Sequence, residues 1–193
     1  MSARPRLVAV NAELSDAAAL AELSRGQIGA LGVLYDRYQA AVSSFVRRAT
    51  YDASDAEDLV HATFMAAAKA ASSFDGRQSC RPWLVGIAAR LLFRRKRGLS
   101  RWARALRELT LRESDRYADP HAELAARDEV NRLSLALQRL SERKRVVLLL
   151  AESEGLSSED IAAALHVPVG TVWTRLHHAR RDLRRLLERE AEP

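Results

Sequence analysis

The residues with the most capacity for chemistry lie near the C-terminal end of the chain, where polar, basic and aromatic side chains share one predicted helix. They are Thr171, Trp173, Thr174, Arg175, His178 and Arg181. Hydroxyl and imidazole groups can hydrogen-bond to base edges, and arginines contact both bases and phosphates. The adjacent histidines His177 and His178 could suggest a metal, but no third ligand accompanies them. The set therefore favours contact with nucleic acid, and we expect no metal and no cofactor.

The rest of the sequence lacks the residue patterns of an enzyme active site. It has no glycine-rich phosphate loop, no cluster of metal ligands and no defensible pair of nucleophile and base. The single cysteine, Cys80, excludes an intramolecular disulfide and a cysteine-rich zinc site. We expect it to be a small buried thiol. An enzyme is therefore the less favoured class, and we predict binding without covalent chemistry.

The bulk composition is that of a basic globular protein. The chain has 193 residues, a net charge of +6 and 48% hydrophobic residues. That length allows one ordinary domain or two small helical ones, and the basic excess indicates a polyanionic partner. No apolar run approaches the roughly 20 residues of a membrane helix, and no signal-peptide pattern is present. We therefore expect a cytoplasmic protein without membrane insertion.

The first half of the chain predicts a helical domain. Glycine and proline are scarce, and no alternating strand pattern is visible, so helix is favoured almost throughout. Ser54 and Glu57 fit a capping box, and Gly98 is expected to end the last helix. The predicted helices cover residues 16–24 and 27–50, then a segment opened by Ser54, then a segment from Pro82 to about Arg97. This gives a first domain over residues 15–97.

The second half predicts a linker and a smaller helical domain. Residues 98–122 form a basic linker with some helical content, and residues 123–190 form the second domain. Ser141 is expected to cap one of its helices. Ser157 and Asp160 then open a short helix, a turn with Pro168 follows, and an amphipathic helix continues to about Leu187. A short helix, a tight turn and a second helix with a basic outer face form a helix-turn-helix that can enter a major groove.

Three alternatives remain open on these patterns alone. A helical hairpin with a solvated basic face would show the same charge distribution. A transcriptional regulator with only the C-terminal helix-turn-helix would explain residues 130–190 and leave the first half to sensing or dimerisation. A basic helical protein on an anionic membrane surface is a further possibility, and its binding would be insensitive to DNA sequence.

Specific motifs add a family resemblance to this interpretation. The second half closely resembles domain 4 of bacterial sigma factors of the extracytoplasmic-function group, in the segments GLS at 155–157, EDIA at 159–162, LHVPVGTV at 165–172, RL at 175–176 and AR at 179–180. The first half is similar to domain 2 of the same group, in LYDRY at 34–38, DAEDLV at 55–60, TF at 63–64, WL at 83–84 and IA at 87–88. Both matches occur in the family's order.

The resemblance implies three binding surfaces. One binds core RNA polymerase through a negatively charged helix start beside exposed apolar residues, namely Asp55, Asp58, Leu59, Val60, Thr63 and Phe64. A second melts and reads the minus-10 promoter element, through Arg77, Gln78, Ser79, Arg81, Trp83, Arg90 and Arg94. The third reads the minus-35 element through Thr171, Trp173, Thr174, Arg175, His178 and Arg181. The implied partners are core polymerase, promoter DNA and an unidentified anti-sigma factor.

The chain departs from the family pattern at several of these positions. His61 and Ala62 stand where the family usually has Gln-Glu, and Gly86 replaces a residue that is commonly larger. Trp173 and Thr174 replace a basic residue and a serine. We expect the promoter preference of this chain to differ accordingly.

Overall fold

The protein is helical wherever its structure, a computed structural model, describes it: residues 14–50, 53–76, 79–107 and 126–189. These residues form eight α-helices and one short 3-10 helix, with no strand among them. The all-α prediction is therefore confirmed. None of the described helices combines the length and apolar character needed to cross a membrane.

Four helices build the N-terminal unit, and α2 lies at its centre. Leu34, Val42 and Phe45 of α2 are fully buried, together with Leu84 of α4. The helices α3 and α4 both pack against α2 and against each other, and α1 packs across α2. The elements are α1 (Asp16–Ser24), α2 (Gly29–Thr50), α3 (Ala53–Lys69), a 3-10 turn (Ala71–Ser73) and α4 (Arg81–Arg107).

Four further helices build the C-terminal unit around α8. Their buried side chains include Val146, Leu150, Ile161 and Val172. The helix α8 packs against α5, α6 and α7. The elements are α5 (Ala126–Arg139), α6 (Glu142–Glu152), α7 (Ser158–Leu165) and α8 (Val169–Arg189).

The helix-turn-helix forms from local signals, as predicted. The Ser157 hydroxyl caps α7 by accepting the Asp160 backbone N–H at 3.0 Å. The helix α7 ends at His166, whose left-handed backbone (φ 54°) turns the chain into α8. Ile161 of α7 is fully buried. Capping and the turn therefore fix the angle at which the recognition helix α8 leaves α7.

Two predicted helix ends differ from the structure, and a third is in the predicted place without its capping hydrogen bond. The helix α3 begins at Ala53, so Ser54 lies inside its first turn and is not the N-cap. Ser141 occupies the N-cap position of α6, but its side chain makes no capping hydrogen bond. Gly98 does not end α4, which continues to Arg107 through ten residues assigned to the linker. A single glycine costs a helix only about 1 kcal/mol, which good helix formers on both sides can offset.

The two units are in direct contact, and their buried side chains form one continuous cluster. The helix α4 packs on α7, and α2 packs on α6. The backbone of Gly86 approaches α7 so closely that a Cβ atom there would lie 2.8 Å from the Ala164 Cβ. The small residue at position 86 therefore permits the contact between the two units.

Candidate nucleic-acid interface

The recognition helix α8 exposes much of the predicted minus-35 set. Trp173 is 57% exposed, and Thr174 and Arg181 are exposed as well. The Thr174 hydroxyl donates to the Gly170 carbonyl at 2.9 Å, within its own helix. Thr171 is half-buried. The opposite face of α8 is buried through Val172, Leu176 and Ala179, so the outer face is available for a groove.

The two histidines of α8 lie against each other. Their ring centroids are 5.5 Å apart and the planes meet at 71°, so the rings are in edge contact. His178 is half-buried, and its Nδ1 has no hydrogen-bond partner among the described residues. No group of three potential ligands that could hold a metal is found within the part of the chain that the structure describes.

Arg175 lies apart from the exposed part of its set. Its side chain lines a cleft between the two units, together with Arg90 and Arg94 of α4. Burial, and then the neighbouring charge of Arg143, lower the pKa of its guanidinium. Trp173 and Arg181 instead line a shallow depression on the outer side of α8. The predicted minus-35 residues are therefore not all on one open surface in this arrangement.

Of the predicted minus-10 residues, Ser79, Arg81 and Trp83 lie at the start of α4, and Arg90 and Arg94 follow further along the same helix. Ser79 hydrogen-bonds to the Tyr38 hydroxyl at 3.2 Å and accepts the backbone N–H of Arg81. Trp83 is half-buried and meets Phe74 edge-on, with ring centroids 5.7 Å apart. The indole therefore packs on the preceding loop. Arg77 and Gln78 lie outside the described residues.

The C-terminal unit covers several of these residues. Arg81 pairs with Glu154 at 2.8 Å, and the Arg90 guanidinium donates to the Ala164 carbonyl of α7. Burial, followed by the charge of Arg94, lowers the pKa of Arg90. Arg94 itself is exposed. Ser79, Trp83 and Arg90 line a cleft of about 240 Å³ whose other wall is α7.

Only some of the residues that we expect to bind polymerase are exposed. Asp58 is exposed, and Asp55 belongs to the first turn of α3 with its side chain outside the described ones. The expectation of exposed apolar residues is wrong, because the four remaining side chains are at most 5% exposed and pack inside the N-terminal unit. They are Leu59, Val60, Thr63 and Phe64.

The outward positions of α3 are different residues. His61, Ala62 and Met65 are exposed, and the Met65 exposure is 57%. The Thr63 hydroxyl is satisfied inside the helix by donating to the Leu59 carbonyl at 2.6 Å. The helical spacing of Leu59, Val60 and Phe64 predicts that these side chains face the core, and the structure confirms that side of α3 as the buried one.

Asp16 is a positioning residue that sequence reasoning missed. Its buried carboxylate accepts hydrogen bonds from Arg37, from the Tyr38 hydroxyl and from the Cys80 backbone N–H at 2.7 Å. Burial acts most strongly and would raise the pKa of Asp16, but these hydrogen bonds together lower it. The carboxylate thereby ties α1 and α2 to the start of α4, beside Ser79.

Cys80 is fully buried, as expected. Burial and the neighbouring Asp16 carboxylate raise the pKa of its thiol far above the ordinary value. The thiolate form is therefore absent at neutral pH, and the residue serves packing at the start of α4.

Arg145 and Glu154 are two further residues that sequence reasoning missed. The buried Arg145 donates to the Ala49 carbonyl at the end of α2 at 2.9 Å, and also to carbonyls at the end of α5. The Glu154 side chain is 2% exposed and bridges Arg48 and Arg81 of the N-terminal unit. No local sequence signal marks the contacts of either residue with the N-terminal unit, because these partners are between 73 and 106 positions away.

Comparison with known proteins follows the same division into two units. Residues 34–102 match the family Sigma-70 region 2, and residues 131–183 match Sigma-70, region 4. The sigma factor CnrH of Cupriavidus metallidurans is 30% identical over 95% of this chain and 100% of its own length. The ECF sigma-E factor of Haemophilus influenzae is 30% identical over 94% of this chain and 97% of its own.

Solved structures show the same fold. CnrH in complex with the cytosolic domain of CnrY has a TM-score of 0.62 and 28% identity, covering 94% of this chain and 100% of that one. The sigma factor RpoE of Bartonella quintana, solved with the anti-sigma factor NepR, has a TM-score of 0.62 at 24% identity, covering 82% and 96%. A regulator with only a helix-turn-helix would leave the match of the first half unexplained. The chain belongs to the extracytoplasmic-function group of RNA polymerase sigma factors, which bind core polymerase and direct promoter-specific initiation.

Proposed function

We propose that this sigma factor divides promoter recognition between its two units, and that the units must separate before it can do so. The N-terminal unit, residues 15–97, takes the minus-10 element. The C-terminal unit, residues 123–190, takes the minus-35 element. The exposed outer face of α8, with Trp173 and Arg181, supports the second assignment because α8 is the second helix of a capped helix-turn-helix.

The molecule is called closed while its two units are in contact, and its size in this form supports the proposal that the units separate. The two promoter elements are centred about 25 base pairs apart, which is about 85 Å of duplex. A compact chain of this length is only about 40 Å across. The contact between Gly86 and Ala164 must therefore break before both elements are engaged together. Separation also releases Arg81 and Arg90 from their partners in the C-terminal unit.

We expect core polymerase and an anti-sigma factor to compete for binding to this chain. We place the polymerase contact on α3 around Asp58, with His61 and Met65 as the exposed neighbours. Neighbouring sigma factors were solved with anti-sigma factors, which supports such a partner for this chain. We propose that the chain acts by binding, without enzymatic activity, in the cytoplasm.

Run-off transcription with purified core polymerase tests the function. We expect promoter-specific transcripts from reconstituted holoenzyme on promoters selected from a random library, and none from core enzyme alone. Arg175→Ala should weaken promoter binding by about 1–3 kcal/mol if Arg175 reads a base. An Asp58→Ala variant should lose holoenzyme assembly while its C-terminal unit still binds DNA. Assembly without loss would contradict the placement of the polymerase surface on α3.

A further inference from the structure

A cleft between the two units gathers arginines from both of them. Its volume is about 660 Å³. Arg90 and Arg94 enter it from α4, whereas Arg143 and Arg175 enter it from α6 and α8. Phe93 contributes an aromatic side chain to the wall. Because both units supply its lining, the cleft exists only while they are in contact.

The arginines of this cleft are close enough for their positive charges to repel one another. The charge of Arg143 lowers the pKa of Arg175, after the larger effect of burial. Glu142 also lines the cleft, so one carboxylate accompanies four guanidinium groups. Within the described residues, Arg94, Arg143 and Arg175 have neither an ion-pair partner nor a hydrogen-bond partner. Like charges in a partly desolvated cleft are unfavourable until an anion joins them.

The N-terminus of α6 opens into the same cleft. Its N-cap residue Ser141 lines the cleft and makes no side-chain capping hydrogen bond. The first N–H groups of a helix and the positive end of its dipole favour anions, phosphate above all. The start of this 11-residue helix therefore adds to the attraction that the arginines exert.

We propose that this cleft binds a ligand that carries a polyphosphate chain, which holds the two units together. The planar fork of arginine matches phosphate oxygens, and a helix N-terminus binds phosphate directly. A chain of linked phosphates reaches the arginines of both units and the start of α6 at once.

Binding there has a consequence for promoter recognition. A ligand that touches both units stabilises the closed arrangement, because it has no comparable site when they separate. It also occupies Arg90, Arg94 and Arg175, which are predicted to contact promoter DNA. Ligand and promoter therefore bind different conformations of the chain and exclude each other.

Calorimetric titration of the full chain tests the site, with inorganic tripolyphosphate and ATP as probes at constant ionic strength. We expect one site per chain. Arg143→Gln should weaken binding about tenfold, the loss of one charge-assisted contact. The control Arg132→Gln removes the same charge from an exposed position on α5 outside the cleft and should change affinity less than twofold. Equal affinities of the two variants would overturn the proposal.

A second measurement tests the need for both units. Gly86→Leu forces α4 and α7 apart, so a folded variant, verified by its helical circular dichroism, should lose tripolyphosphate binding. Glu154→Gln provides the same test by weakening the ion pairs between units, should the leucine variant not fold. Retained affinity in a chain shown to be open would refute a site shared by the two units.

An acidic peptide is the rival occupant. A polyglutamate peptide with the same charge as tripolyphosphate should bind at least tenfold more weakly, because it cannot place compact phosphate oxygens at the α6 N-terminus. Tighter binding of the peptide would overturn the phosphate assignment. All of these titrations use the free chain without polymerase or promoter, so their outcome is independent of the proposed function.

Discussion

Gly86→Ala is the sharpest perturbation of the closed molecule. The added Cβ would lie 2.8 Å from the Ala164 Cβ, 3.3 Å from its Cα and 3.4 Å from its carbonyl oxygen. Ordinary carbon contacts are about 3.5–4.0 Å, so the helices must move apart by about 1 Å. Ala164 has no flexible side chain that could swing away, so the backbone of α4 or α7 must shift.

The magnitude follows from two opposing effects. Overpacking of this kind costs about 1–3 kcal/mol, and here it is felt only while the units touch. Within α4 itself, alanine is favoured over glycine by about 0.5–1 kcal/mol. We therefore expect the N-terminal unit to be as stable as before or slightly more stable. The equilibrium constant for closing should therefore fall about 5-fold to 150-fold.

Energy transfer between dyes on the two units measures this equilibrium. Ala62→Cys on α3 and Glu159→Cys on α7 supply exposed labelling positions, and the buried Cys80 thiol stays unreactive. The control is Gly32→Ala in α2, where an added Cβ would meet nothing within 4 Å. Transfer should fall in Gly86→Ala and stay unchanged in Gly32→Ala. Equal transfer in both variants would refute the assignment of Gly86 to the contact between units.

Two further predictions concern buried carboxylates. Glu154→Gln should weaken the closed arrangement by about 1–2 kcal/mol, a modest figure because its arginine partners are well exposed. The control Glu152→Gln should leave dye transfer unchanged, because the ion pair of Glu152 with Arg180 lies within the C-terminal unit. The lowered pKa of Asp16 means that its contribution to folding is present above the unfolded value of about 4 and is lost as the pH falls through the folded pKa. Urea unfolding of Asp16→Asn should therefore show a loss of about 1–3 kcal/mol at pH 7 and a flatter decline in acid than the wild type, and parallel curves would contradict this role.

The helix-turn-helix could be predicted from sequence because its signals are local. Ser157 caps α7 through a residue three positions away, and the turn and the buried Ile161 lie within a few residues of it. Such rules need no knowledge of the remaining fold. The same is true of the all-α class, which follows from propensity and spacing.

The parts that sequence could not predict depend on distant contacts. The spacing of Leu59 and Phe64 predicts that they face a core, but which helices cover them is decided by how α3 packs on α2 and α4, which periodicity alone does not specify. Gly86 looked like an unusual position of the minus-10 reader, whereas its closest contact lies in the other unit, at Ala164. The continuation of α4 beyond Gly98 likewise shows that one glycine does not end a helix.

The closed arrangement uses predicted DNA-binding residues as ties between units, and this has a thermodynamic consequence. Arg81 pairs with Glu154 and Arg90 bonds to α7, so neither is free for DNA until the units separate. The apparent affinity for any partner of the open form is reduced by the fraction of chains that are open. A closed form favoured by about 3 kcal/mol lowers that affinity about 150-fold. Gly86→Ala should therefore raise the apparent affinity for core polymerase by the same factor by which it lowers the equilibrium constant for closing, as measured by dye transfer. One conformational equilibrium governs both quantities.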